Sequence, residues 1–277
     1  MTKIRIHSQL HYTITQPSSL TFAVLAAHSR HQTVLDETLR TEPEVVVPRL
    51  ALGPGLHELI RLSLEPGPFS LTYDATVQLA AHTTEDPPAA EVQFGDVPIE
   101  ALPFLNPSRY CESDKLGRFA YRTFGGIEPG FERVAGICNW IYDHMEYVGG
   151  STDSSTTAID VLVGGAGVCR DYAHLGITFC RALGIPARYV SGYAVGLEPP
   201  DFHGFFEAYL DHTWFLFDAT RMAPVDGLVR IAAGRDAADV AFATLVGAAT
   251  LDQKVVSALF DDARSPDHDA PPAVTTA

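Results

Sequence analysis

The sequence predicts an α+β protein, with an N-terminal antiparallel β-sandwich-like domain followed by a domain of packed helices and antiparallel strands. Three observations predict it. Residues 3–81 fall into short runs of alternating apolar and polar residues, divided by turn signals. Residues 114–183 carry apolar side chains at three- and four-residue spacing, the period of amphipathic helices. After Gly184 and Pro186 strand-like runs return.

In the first region Ile4, Ile6, Leu10, Tyr12 and Ile14 alternate along one strand, with one polar slot at Ser8. Further strands are expected over 20–27, 33–39, 44–52, 58–64 and 69–81. Gln16-Pro17-Ser18, Gly53-Pro54-Gly55 and Glu65-Pro66-Gly67-Pro68 mark turns between them. Residues 82–108 are rich in loop formers and read as a linker, so the first domain is assigned to 1–105. A helix is expected over 114–124 with Ser113 as its cap, and a longer one over 129–145. A short helix over 157–163 leads into Gly164-Gly165-Ala166-Gly167, and the next helix runs over 170–183. Strands are expected over 187–193, 205–210 and 213–217, the last two joined by an Asp211-His212 turn. Two more are expected over 228–232 and 254–259, which closes a second domain at 106–261. Gly234 to Val240 reads as a turn held by an Arg–Asp pair, with a role toward substrate as the alternative. Residues 262–277 are polar and Pro-rich, the composition of a disordered tail.

Composition narrows the function. With 277 residues, 46% hydrophobic and 19% charged, the chain can bury one large or two ordinary cores. A net charge of −15 argues against nucleic acid and against an anionic membrane surface as partners. No secretory signal pattern opens the sequence, and the longest apolar run, within 237–251, is too short and interrupted to span a bilayer. The cysteines are Cys111, Cys138, Cys169 and Cys180, with no CxxC pair, so zinc is not expected. Cys169 and Cys180 lie about 16 Å apart on one helix, beyond disulfide reach. Free thiols point to a cytoplasmic protein. No Asp-rich loop of the EF-hand kind is present, so calcium is not implied either, and no cofactor is expected.

The chemistry gathers at Cys169. It follows a glycine loop and opens a helix, where unpaired backbone N–H groups and the helix dipole favour thiolate, the nucleophilic form. Asp171, in the first turn, suits the same dipole and reads as structural. His203 starts one strand and Asp218 ends the strand paired with it, so an imidazole and a carboxylate meet at one rim. That arrangement orients an imidazole and fixes its tautomer. His212 is expected to be a solvated turn residue and His174 a core histidine.

The segments Gly167-Val168-Cys169-Arg170-Asp171-Tyr172-Ala173-His174-Leu175, His203-Gly204-Phe205-Phe206-Glu207 and Asp218-Ala219-Thr220 resemble the GVCRD(F/Y)AHL, HAWxE and DPT signature of the transglutaminase-like superfamily of papain-like cysteine enzymes. Phe205 stands where that family has Trp, and Ala219 where it has Pro. The resemblance covers about 107–240 and is supported by the β region before it, which looks like the one found in bacterial members. It implies a papain-like, transglutaminase-like catalytic domain, with Cys169 as nucleophile, His203 as base and Asp218 as orienting acid. Glu207, four residues after His203 on the same side of its strand, is expected to hydrogen-bond behind them. The Cys169 N–H is one natural oxyanion donor, and Tyr147 is the candidate for the second.

The implied activity is acyl transfer on a peptide or carboxamide bond through a thioester, as protease, amidase or transglutaminase, with a peptide or protein amide as partner. The alternative is a non-catalytic binding module that carries a vestigial triad. Arylamine acetyl transfer uses the same triad, but no basic cluster suited to coenzyme A phosphates stands out.

Overall fold

The computed structural model describes residues 2–52, 57–80, 82–83, 89–262, 265 and 273–275. Its first five strands are β1 (Thr2–Phe22), β2 (Gln32–Glu42), β3 (Arg49–Leu52), β4 (His57–Leu64) and β5 (Gly67–Leu79). A short β6 (His82–Thr83) follows. The helical part holds α1 (Ser113–Phe124), α2 (Phe131–His144), β7 (Glu146–Tyr147), α3 (Ala158–Gly164), β8 (Ala166–Gly167) and α4 (Cys169–Ala182). Then come β9 (Ala187–Ala194), β10 (Phe202–Leu210), β11 (Thr213–Phe217), β12 (Leu228–Gly234), β13 (Ala243–Phe260) and β14 (Ala273–Thr275).

The N-terminal layer is one antiparallel sheet in the order β2-β5-β1-β4-β3. Alternate residues of β1 are buried, as the two-residue period demands. β5 pairs with residues 2–14 of β1 and β4 with residues 18–22. Register shifts between Ile14 and Ser19, at the expected Gln16-Pro17-Ser18 turn, let the strand bend without ending, so the sheet curls. β13 runs along β1 from Ile4 to Phe22. A strand was expected only over 254–259, and its true length brings residues 243–260, beyond the linker in sequence, onto the N-terminal sheet.

The second sheet has the order β12-β9-β10-β11-β14-β6. The β10–β11 turn is Asp211-His212, both with left-handed backbone (φ 44° and 57°). This is the two-residue hairpin that matches strand twist. The Gly53-Pro54-Gly55 turn and most of the tail lie outside the described residues, while Ala273–Thr275 of the tail pairs with β11.

Among the helices, α4 is buried continuously from Asp171 to Arg181. Its mid-helix Gly176 permits contact with β10, because a Cβ there would lie 2.5 Å from the Phe206 ring. α2 buries Phe131, Val134, Ile137, Cys138 and Ile141, the predicted face. α3 is closed by a Thr157–Asp160 capping box. Ser113, in contrast, does not cap α1. It is the first helical residue, and Glu112 before it makes no side-chain cap hydrogen bond. The two layers are stitched by polar groups: Gln32 bonds both backbone groups of Arg230, and the Tyr193 hydroxyl reaches Val24 O and Ser8 Oγ.

Candidate active site

Cys169 is the first residue of α4, and it is the one half-buried cysteine of the four, the others being fully buried. Its position is fixed from both sides. Val168 takes an extended backbone, and its N–H donates to Asp171 Oδ2 (2.9 Å), which also accepts from Thr152 Oγ1 (2.5 Å). Arg170 pins the same loop by donating to Asp153 O (2.8 Å). Asp171 therefore has the structural role its position suggested.

Opposite the thiol stands His203, buried in β10 with Asp218 just beyond the end of β11. Nε2 of His203 lies 2.7 Å from Asp218 Oδ2. The other carboxylate oxygen accepts from Thr220 N (2.9 Å) and Thr220 Oγ1 (2.8 Å), an Asx-type turn that aims the Asp without the family's proline. Nδ1 of His203 is buried with no conventional hydrogen-bond partner and is left for the thiol.

The electrostatics agree with an ion pair. Burial alone pushes the Cys169 thiol up, but the hydrogen bond and charge of His203 and the Gly204 N–H outweigh it, and the pKa falls below the usual thiol value. Burial pulls His203 down, yet the charge and hydrogen bond of Asp218, then those of Cys169, leave it pushed up to about 10.

Tyr147 reaches this site through a short parallel pairing of β7 with β8, Tyr147 opposite Gly167. Its hydroxyl is near enough to Cys169 for the backbone N–H and the thiol of that residue to act on its titration. Burial and the thiolate's charge push its pKa up, so it stays protonated.

Glu207 is not brought to the site. It is fully buried between Arg188 (Nε to Oε2, 2.5 Å) and Arg230, and Arg188 stacks over Trp214 (4.1 Å). Phe205 sits on the same side of β10 between it and His203, its ring 6.1 Å from the imidazole. The strand period placed Glu207 on the correct side, but β9 and β12 bring two arginines to it. His174 is a core histidine: Nε2 accepts from Ala237 N (3.1 Å), its ring stacks on Tyr110, and burial, then Arg170 and Arg181, hold its pKa well down. His212 is exposed in its turn. The Arg–Asp pair of the 234–240 turn is Arg235 with Asp239 (2.9 Å).

Two contributors were not singled out from the sequence. The Gly204 N–H acts on the thiol, and Tyr189 of β9 lies against Gly204 beside Cys169. Gly204 pairs with Ser191 and Tyr189 with Phe206, so Gly204 and Tyr189 are diagonal neighbours across β9 and β10, which long-range register sets and no local pattern carries. Among the described residues no set of three or more His, Cys, Asp or Glu side chains is placed to hold a metal ion. No described helix is long and apolar enough to cross a membrane.

Comparison with known proteins agrees with this arrangement. The family model of the transglutaminase-like superfamily core matches residues 117–219, and that of the bacterial transglutaminase N-terminal domain matches residues 2–103. A solved structure of a candidate cysteine protease from Cytophaga hutchinsonii is 42% identical, covers 100% of this chain and 98% of its own, and superposes with a TM-score of 0.94. An uncharacterized protein of Mycobacterium leprae is 32% identical over 147 residues, 50% of this chain and 52% of its own. An uncharacterized protein of Mycobacterium tuberculosis is 33% identical over 120 residues, 43% of this chain and 38% of its own. The chain thus spans about half the length, or less, of these curated relatives. Matched along both halves, and aligned end to end with a relative of the same architecture, the chain belongs to the transglutaminase-like superfamily of papain-like cysteine enzymes.

Proposed function

We propose that the protein is a cytoplasmic cysteine enzyme that transfers the acyl group of a peptide or protein amide, with water as the default acceptor. The observation that carries this reading is His203, buried between the Asp218 carboxylate and the Cys169 thiol. The thiolate attacks the amide carbonyl and a C–S bond forms. The oxyanion that develops is stabilised by the Cys169 N–H, with the nearby Tyr147 hydroxyl as the candidate second donor. The C–N bond then breaks as His203 gives its proton to the leaving amine, and a thioester remains. His203 takes a proton from water, which attacks the thioester, and the acid leaves as the thiolate is restored. An amine in place of water would give transamidation. Asp218 holds the imidazole in the tautomer these steps need. Four free thiols support the cytoplasmic assignment.

Competitive alkylation tests the nucleophile. Burial pushes Cys111 up to about 12 and raises Cys138 and Cys180 well above the usual thiol value. Iodoacetamide at neutral pH should therefore modify Cys169 first, as mapped by peptide mass spectrometry. Cys169→Ala should abolish turnover of an amide substrate library. Equal labelling of all four thiols would return the chain to the binding-module reading.

A further inference from the structure

The cleft that holds Cys169 and His203 has a volume of about 380 Å³, and its far wall is not made by the helical domain. Lys254 of β13, which belongs to the N-terminal sheet, lines it together with Phe242 and Ala243. The Lys254 ammonium is held by both oxygens of Asp201 (2.5 and 2.6 Å) and lies 5.4 Å above the Phe242 ring. An ammonium has three N–H donors, and among the described residues no hydrogen bond from it other than to Asp201 is made. Asp201 is more fully engaged, because it also accepts from Phe202 N (2.6 Å).

Two hydroxyl side chains line the same cleft from β9, and that of Ser191 is buried. Ser191 is 7% exposed, and its Oγ has no hydrogen-bond partner. Tyr189 is 6% exposed, and among the described residues no hydrogen bond uses its hydroxyl. They are alternate residues of one strand and so share a face. For Ser191 Oγ, buried and unpartnered, the desolvation cost is offset only when a ligand completes it. The cleft therefore offers Tyr189 Oη–H, Ser191 Oγ–H and one ammonium proton, with its one carboxylate already occupied.

We propose that this end of the cleft is an acyl-side subsite for a carboxylate, so that the preferred acyl donor carries a free carboxylate near the bond attacked by Cys169. The proposal rests on Cys169 being the nucleophile. It also gives the N-terminal sheet a role, since the specifying cation comes from β13. An overall charge of −15 would otherwise repel such a substrate, so the local cation decides selectivity.

Alkylating probes test this without a known substrate. Iodoacetyl-glycine and iodoacetyl-β-alanine are compared with their carboxamides, which differ only in the carboxylate. In the full-length wild type each acid should label Cys169 about tenfold faster than its amide, at saturating rather than linear dependence on concentration. His203 itself favours anions, and removing Lys254 alone leaves Asp201 as a repelling charge. The decisive variant is therefore the charge-balanced Asp201→Asn/Lys254→Met, in which the ratio should fall severalfold, to the residual preference set by His203, while the iodoacetamide rate is unchanged. Ser191→Ala should lower the ratio, and Lys254→Arg should largely retain it. A wild-type ratio near unity, or one that survives undiminished in the double variant, overturns the subsite and leaves the cysteine-enzyme reading intact. A wild type in which Cys169 resists both probes overturns both.

Discussion

Nε2 of His203 and Oδ2 of Asp218 are 2.7 Å apart, with side-chain exposures of 0% and 2%. Solvent cannot screen this pair, and the second Asp218 oxygen is tied to Thr220. The carboxylate therefore has one direction in which to act, toward the imidazole.

Asp218→Asn tests that direction. The amide is isosteric, and its oxygen can keep the Thr220 contacts, so the fold should hold. The imidazole would be offered a neutral partner and lose its tautomer. Turnover should drop by about four powers of ten, the size of the matching change in a serine-protease triad. Steady-state kinetics with circular dichroism as a fold check decide it. Loss of less than tenfold would remove Asp218 from the orienting role.

The pH profile follows from the same pair. Cys169 is lowered and His203 is pushed up to about 10, so the thiolate–imidazolium pair exists between two apparent values that belong to the pair. Below the lower value the thiol is protonated. Above the upper one His203 has no proton for the leaving amine. Cys169 alkylation by iodoacetamide should plateau well below pH 8, and amide turnover should fall as pH rises through about 10. His203→Ala should move the alkylation onset up toward that of an ordinary thiol. A single onset at the ordinary thiol value in both proteins would show that no ion pair forms.

Glu207→Gln should separate stability from chemistry. Glu207 neutralises Arg188 and Arg230, whose pKa values burial pulls down to about 9. Removing the anion leaves two buried guanidiniums facing a neutral amide, a loss of about 3–5 kcal/mol by analogy with other broken buried pairs. Denaturant unfolding should show it, while Cys169 in the folded fraction keeps its alkylation rate. A variant of normal stability that has lost turnover would assign Glu207 a catalytic role instead.

The contrast between Asp218 and Glu207 shows what was legible. Motif order and strand ends located Cys169, His203 and Asp218, because a helix start and a hairpin are local features. The partner of Glu207 was not local: Arg188 and Arg230 reach it from β9 and β12, and only the sheet order β12-β9-β10 brings them there. Length hid another feature. β13 continues for 18 residues because β1 offers a bent 21-residue edge, a fact of long-range pairing that no window around 243–260 contains. The cleft wall with Lys254 was unreadable for the same reason. Tyr147 was suggested by its place after a helix, but its contact with Cys169 depends on the Glu146–Tyr147 pairing with Ala166–Gly167.

Gly204→Ala is the sharpest test of the packing around the thiol. The resembled motif has Ala at this position, yet here an added Cβ would lie 2.3 Å from the Tyr189 hydroxyl oxygen and 3.1 Å from Cζ. Tyr189 is buried and its ring packs against His174 (5.3 Å between centroids), so it cannot swing aside freely. The strain must move β10, which carries both His203 and the Gly204 N–H that stabilises the thiolate. A displacement of this kind should cost about tenfold to hundredfold in Cys169 alkylation rate near neutral pH. Tyr189→Phe alone removes the offending oxygen and should leave the neutral iodoacetamide rate close to wild type. Combined with Gly204→Ala it should restore most of the loss, a coupling of about 0.5–3 kcal/mol between directly packed residues. If the two effects simply add, Tyr189 does not shape this wall, and the intolerance of residue 204 has to arise from Arg170, whose Cα is 3.3 Å from the same Cβ.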